Sequence, residues 1–250
     1  MAPVARELSK TFGAVEPIQS RYSISELIGE LHEQLNEVTT KPVTLISRSW
    51  GAWLVVLYAA RHPELVEKSI LVGADPFDAK YVPKIMERRF DRLSDDDAAL
   101  FRTLLRQLEV NNHPNANILL ERLGELAEKA DSYNPFTIND RTEDIGIDGA
   151  MHASIWPEAD AMRRNGELKQ VLRQLKCPLV IIHGEHDPHP VEGVTEPLTE
   201  LGIVFETYIL PRCGHSPFKE QEAARPFYEI LADVIKREPA AFTTHHNAGT

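Results

Sequence analysis

The sequence predicts an α/β fold whose mostly parallel sheet is covered by helices on both faces. Three observations predict it. The runs VTLI (43–46), SILV (69–72) and LVII (179–182) are mostly apolar and barely alternate, the pattern of strands buried on both faces. Segments with helical spacing separate them, as crossovers between parallel strands require. Polar residues gather just after these runs, where open parallel sheets hold their ligands.

Residues 3–10, PVARELSK, read as a short helix. GAVEPIQ (13–19) reads as a short strand, with Pro17 limiting its pairing. Ser23 or Ser25 caps a helix to about residue 37, with Leu27, Ile28, Leu31 and Leu35 on one face. The strand PVTLIS (42–47) follows, then a helix from Trp50 to Arg61 that Pro63 closes. KSILVGAD (68–75) is a buried strand. From 78 to 165 charge and helical periodicity replace strand signals. SDDDAALFRTLLRQL opens with a cap serine and acidic first-turn residues, and NILLERLGELAEKA repeats apolar residues at helical spacing. This stretch is expected to be a helical insertion. Strands return in CPLVIIHG (177–184) and VFETYILP (204–211), and a helix runs from Glu222 to Lys236. The tail, 241–250, has no periodicity and is expected to be loose. The core is thus 1–77 with 166–240, interrupted by 78–165.

A net charge of −11 over 250 residues argues against a nucleic-acid surface, which needs clustered Lys and Arg. No run is long enough for a membrane span, and the first residues lack the apolar core of a signal peptide. Two cysteines, Cys177 and Cys213, rule out a disulfide scaffold and point to the cytoplasm.

The polar residues that follow strands are Ser47–Trp50, Asp75, His183–His189 and Cys213–Ser216. Serine is a weak nucleophile unless a base takes its proton and a third group orients that base. Ser49, Asp187 and His215 supply these types in the order Ser…Asp…His, with room for a crossover helix and a strand between the last two. Ser49 also reads as a plain helix N-cap. Asp75 is a rival acid, or the first residue of an Asp-Pro turn. His183, His186 and His189 with Glu185 and Asp187 suggest a metal site, but Pro188 and Pro190 enforce a loop there, and no metal is expected. Arg48 is expected at the site mouth, where it would meet an anionic group of a small-molecule substrate; simple exposure is the plainer alternative. Trp53 and Tyr58 read as core, and Cys213 as a small buried residue.

VTLISRSWGAWLVVLYAARHPELVEKSILVG resembles the nucleophile elbow, helix and next strand of the α/β-hydrolase superfamily. CPLVIIHGEHDPHP resembles its acid loop, and LPRCGHSPFKEQEAARPFYEIL its histidine loop and last helix. The insertion resembles the helical cap of proline iminopeptidase-like and carbon–carbon bond hydrolases. The resemblance implies a serine hydrolase needing no cofactor, with Ser49 as nucleophile, His215 as base, Asp187 as orienting acid and the Trp50 N–H in the oxyanion hole. The implied reaction is cleavage of an ester, amide or related acyl bond; a non-catalytic hydrolase-like binding protein is the alternative. Two departures stand out. Ser47 replaces the glycine two residues before the nucleophile. The family's opening hairpin and the following strand, with the loop giving the second oxyanion donor, have no counterpart, so on the order of 40 residues are missing. An N-terminally truncated sheet is therefore expected, with weakened or lost activity. Its open edge beside 42–47 is expected to be covered by a rearranged N-terminus or by association into a homo-oligomer.

Overall fold

Four parallel strands make up the sheet in the computed structural model, which describes residues 1–110, 113–137 and 146–239. β1 (Val43–Arg48), β2 (Val66–Val72), β3 (Leu179–Gly184) and β4 (Phe205–Leu210) lie side by side in chain order. The ten helices among the described residues are α1 (Ala2–Leu8), α2 (Ile24–Val38), α3 (Gly51–Arg61), α4 (Val82–Arg92), α5 (Asp95–Leu108), α6 (Ala116–Asp131), α7 (Gly149–Arg164), α8 (Glu167–Leu172), α9 (Glu192–Glu200) and α10 (Ala224–Lys236). None of them is long and apolar enough to cross a membrane.

The apolar strands are explained by their two faces. Ile70 and Val72 of β2, with Val180 and Ile182 of β3, pack against Val4 and Leu8 of α1 and Phe227, Leu231 and Val234 of α10. The intervening Leu71, Leu179 and Ile181 pack the other way, with Leu27 and Ile28 of α2, Trp53 and Val56 of α3, Leu168 of α8 and Leu198 of α9. A strand buried on both sides cannot alternate apolar with polar residues. Helices α4, α5 and α6 form a cluster of their own around Leu93, Phe101, Leu104 and Leu126. In contrast, Ile155 and Ala159 of α7 join the α2–α3 face of the main core. Ser94 caps α5, its hydroxyl accepting from the Asp97 N–H at 3.2 Å.

The run 13–19 is irregular, not the strand expected of it. It has no strand neighbour, Pro17 offers no N–H, and Val15 and Ile18 are 53% and 57% exposed. Its backbone is tied instead to α2: Gln34 Nε2 donates to the Ile18 carbonyl at 2.7 Å, and the Ser20 N–H donates to Glu30 at 2.9 Å. β1 consequently pairs with β2 alone, and its outer edge has no strand partner among the described residues. The tail 241–250 lies outside the described residues.

One buried cation joins sheet to helix. Lys68 of β2 is fully buried, and its Nζ donates to the carbonyls of Val234 at 3.2 Å, Ile235 at 3.1 Å and Arg237. These carbonyls end α10, where a helix has no N–H left to offer them. Lys68→Met should therefore lower the unfolding free energy by about 2–4 kcal/mol, because it strands these acceptors inside the protein. Urea unfolding measures this, and a change below about 0.5 kcal/mol would mean that the carbonyls find other donors.

Candidate active site

Ser49 sits where β1 turns into α3, with φ of 57°. Left-handed backbone at a non-glycine residue costs roughly 1–2 kcal/mol and persists only where the surroundings enforce it. Here the Ser49 N–H donates to the Val72 carbonyl at 3.1 Å, and the Ala52 N–H to the Ser49 carbonyl at 2.9 Å. The turn brings residues 47 and 51 together. A Cβ on Gly51 would lie 3.9 Å from the Ser47 Cβ, an ordinary contact, so the serine at 47 fits without strain. The Trp50 N–H has no acceptor among the described residues.

Asp187 follows β3 and is almost wholly enclosed. Its Oδ2 accepts from His215 Nδ1 at 2.9 Å. Its Oδ1 accepts from the His189 N–H at 2.9 Å and from His189 Nδ1 at 2.7 Å. The other nitrogen of His189 faces Asp75 Oδ1 at 3.1 Å. A ring with a carboxylate at each nitrogen carries both protons and is a cation. Burial pushes the His189 pKa down, but Asp187 and Asp75 outweigh it and raise it to about 10. Burial also works to raise the Asp187 pKa, yet its neighbours His215, His183 and His189 hold the carboxyl well below its ordinary range. Asp75 likewise stays below its ordinary range despite burial, through His189.

His215 differs from His189. Its Nδ1 holds a proton toward Asp187, which leaves Nε2 as a free base. Burial lowers its pKa, Asp187 raises it, and His189 and Arg48 lower it further. The His215 and His189 rings pack at 4.3 Å between centroids. Buried Glu220 holds the loop, accepting from the N–H groups of Gly214 at 3.0 Å, Tyr133 at 2.8 Å and Asn134 at 2.7 Å.

Gly73 joins these parts to the elbow. It follows Val72, the partner of Ser49, and has φ of 49°. A Cβ there would meet the His215 carbonyl at 2.6 Å and Asp187 Oδ2 at 3.2 Å. Arg48 makes a direct link, its Nη1 donating to Ser216 Oγ at 2.6 Å. Ser49, Trp50, Arg48, Asp187 and His215 thus cluster at one end of β1–β3. No hydrogen bond joins the Ser49 hydroxyl to His215 among the described residues. Asp75 binds His189 and not His215.

The three histidines of the acid loop separate in role. His183 Nε2 donates to the His189 carbonyl at 2.8 Å, and His186 packs edge-on against Tyr133 at 5.3 Å. Asp187, His189 and His215 do bring metal-type donors together. Their close contacts are already N–H donors facing carboxylate oxygens, so an ion would have to displace those protons. The His189 bridge and the Glu220 clasp carry no mark in the sequence, since each depends on groups from distant loops. A cavity of about 1190 Å³ bounded by α4–α7 reaches Asp75 and His189; Ser49 and His215 do not line it.

A family model described as alpha/beta hydrolase fold matches residues 8–222. Among solved structures, VinJ is similar with a TM-score of 0.56 at 16% identity, over 86% of this chain and 73% of that one. The enol-lactonase from Burkholderia xenovorans has a TM-score of 0.54 at 19% identity, over 94% and 85%. The esterase RhEst1 from Rhodococcus sp. has 0.55 at 16%, over 96% and 85%. At these identities the likeness is one of fold. Comparison with curated proteins gave no match.

The raised pKa of His189 has a signed consequence for stability. Its contribution is complete below the ordinary value of 6.5 and is lost as pH rises through about 10. Unfolding free energy should fall over that window in the natural chain and not in His189→Gln. Urea titrations across the window compare them, and equal slopes would show that His189 is not charged in the folded protein.

Proposed function

The chain belongs to the α/β-hydrolase family, and from that premise we propose that it is a serine hydrolase cleaving an ester, amide or related acyl bond. The observation that carries the proposal is the left-handed Ser49 beside a His215–Asp187 pair at the same end of the sheet. An enforced turn that exposes one serine next to a buried base is the arrangement nucleophilic acyl transfer needs.

In this mechanism the Ser49 hydroxyl turns toward His215 Nε2 when the acyl group binds, since hydrogen bonds of this kind often close only in the complex. Ser49 Oγ attacks the acyl carbon, and Nε2 takes its proton. Asp187, already bonded to Nδ1, stabilises the imidazolium and fixes the ring. The Trp50 N–H donates to the oxyanion; such a donor is typically worth ~3 kcal/mol of barrier. The imidazolium then protonates the leaving group, and water, deprotonated by His215, releases the acid from Ser49. No step calls for a cofactor. Arg48 holds an anionic part of the substrate, and helices α4–α7 act as the cap that shapes the pocket. Its reaction partner is a small molecule, and the open edge of β1 is the surface a second copy would cover.

A second reading is favoured by the missing Ser49–His215 hydrogen bond: a hydrolase-like protein that binds without cleaving. A fluorophosphonate probe separates the two. Labelling of the natural chain that disappears in Ser49→Ala supports the hydrolase, and absence of labelling in folded protein supports the binder.

With a turned-over ester in hand, the pH profile tests the base. The acid limb of kcat/KM should lie below 6.5, because burial lowers the His215 pKa. In His189→Gln the limb should move to higher pH, since one cation beside His215 is removed. An unmoved limb would assign it to another group.

A further inference from the structure

The acid loop carries three carbonyls that the backbone does not answer. Those of His186, Asp187 and Pro188 meet no backbone N–H among the described residues. Pro188 and Pro190 offer no N–H of their own, and residues 187–190 are buried, so the loop needs donors from elsewhere. Two arginines of α4 supply them. Arg92 Nη1 donates to the His186 carbonyl at 2.7 Å. Arg88 Nη1 donates to the carbonyls of Asp187 at 3.2 Å and Pro188 at 3.3 Å. Residues four apart share one face of a helix, and α4 meets the loop with that face.

Arg92 also reaches toward the other loop of the site. The same Nη1 donates to the Ala130 carbonyl at 3.1 Å, near the end of α6. The next residue, Asp131, accepts the backbone N–H of His215 on its carbonyl at 2.8 Å. Its carboxylate is held by Arg89 of α4, through Nε at 2.7 Å and Nη2 at 2.6 Å. One nitrogen of Arg92 thus stands between the neighbour of Asp187 and the neighbour of the residue that holds His215. The His186 N–H closes the circuit, donating to the Cys213 carbonyl at 2.8 Å. An arginine in the last turn of a helix ordinarily serves that helix's own carbonyls. Arg92 ends α4, yet both acceptors of its Nη1 belong to other elements. Neither Arg88 nor Arg92 lines the cavity, so their reach is to the loops and not to a bound molecule.

We propose that Arg92, with Arg88, is a positioning residue for the Asp187–His215 pair, its bonds to the His186 and Ala130 carbonyls holding the acid loop at hydrogen-bond distance from the histidine loop. Its effect on rate rests on the hydrolase reading, whereas the Asp187–His215 contact that it holds does not. A guanidinium keeps its charge at any working pH, so this tie does not loosen by deprotonation. Without it, carbonyls beside a buried carboxylate lose a charged donor, and the loop opens more often to recover hydrogen bonds from water.

Exchange of the His215 Nδ1 proton in the full chain tests this. That proton lies in a buried hydrogen bond to a carboxylate, so proton NMR finds it far downfield, and its loss in His215→Gln assigns it. In Arg92→Met it should exchange with water about tenfold faster or more, while the amides of β3 keep their rates. An unchanged rate, an equal acceleration of the β3 amides, or no protected proton in the natural chain would each overturn the proposal. If Arg92→Met does not fold, Arg88→Met, which frees the Asp187 and Pro188 carbonyls, is read by the same measure. Fluorophosphonate labelling of the same preparations keeps the two readings apart. A natural chain that labels, and an Arg92→Met chain that labels about tenfold more slowly, supports both. No labelling of the natural chain, with exchange accelerated in the variant, overturns the hydrolase alone. Labelling of the natural chain, with exchange unmoved in the variant, overturns the role of Arg92 alone.

Discussion

The carboxylate of Asp187 is the contact on which the rest of the site depends. It is a charge sealed from water, and such a charge is tolerated only when its oxygens are fully answered. Oδ2 is answered by His215 and Oδ1 by the ring and backbone of His189. Through these bonds one side chain fixes the loops after β3 and β4. Through His189 it also reaches Asp75, in the loop after β2. Three strand ends are thereby locked into one geometry by a single buried acid.

The arrangement keeps the two histidines chemically distinct although their rings are in contact. His189 lies between two carboxylates and holds both protons. His215 faces one carboxylate, is buried, and has a cation beside it, so it stays neutral with its outer nitrogen free. Neighbours of opposite effect are what separate two groups of the same type into a cation and a neutral imidazole. Close approach is the condition for all of this. At Gly73 any side chain would collide with the His215 carbonyl, and the loop after β4 would be forced away from Asp187.

Helices α4–α6 pack among themselves, whereas α7 is anchored to the main core through Ile155 and Ala159. The cavity lies between these two allegiances. Its lining draws on both, with Ile85, Met86 and Phe101 from α4–α5 and Trp156 and Arg163 from α7. Trp53 links the two regions directly, its Nε1 donating to the Asp75 carbonyl at 3.1 Å.

Much of this was legible from local pattern. Largely apolar runs marked β1, β2 and β3, because burial on both faces favours apolar residues at successive positions. The order Ser49, Asp187, His215 after successive strands marked residues that the fold brings to one end of the sheet, although Ser47 departs from the glycine of the motif. Pattern failed at 13–19, which read as a short strand. A strand needs a neighbour to accept its hydrogen bonds, and none lies beside that segment among the described residues. It also failed at His189 and Glu220. Each is an ordinary residue in its own stretch of chain and acquires its role from groups on remote elements. The sequence by itself determined which strands are buried and which residue types can meet at their ends. Only the tertiary structure decided which histidine is charged and which loops a buried glutamate holds together, because charge state and satisfaction are set by distances between groups far apart in the chain.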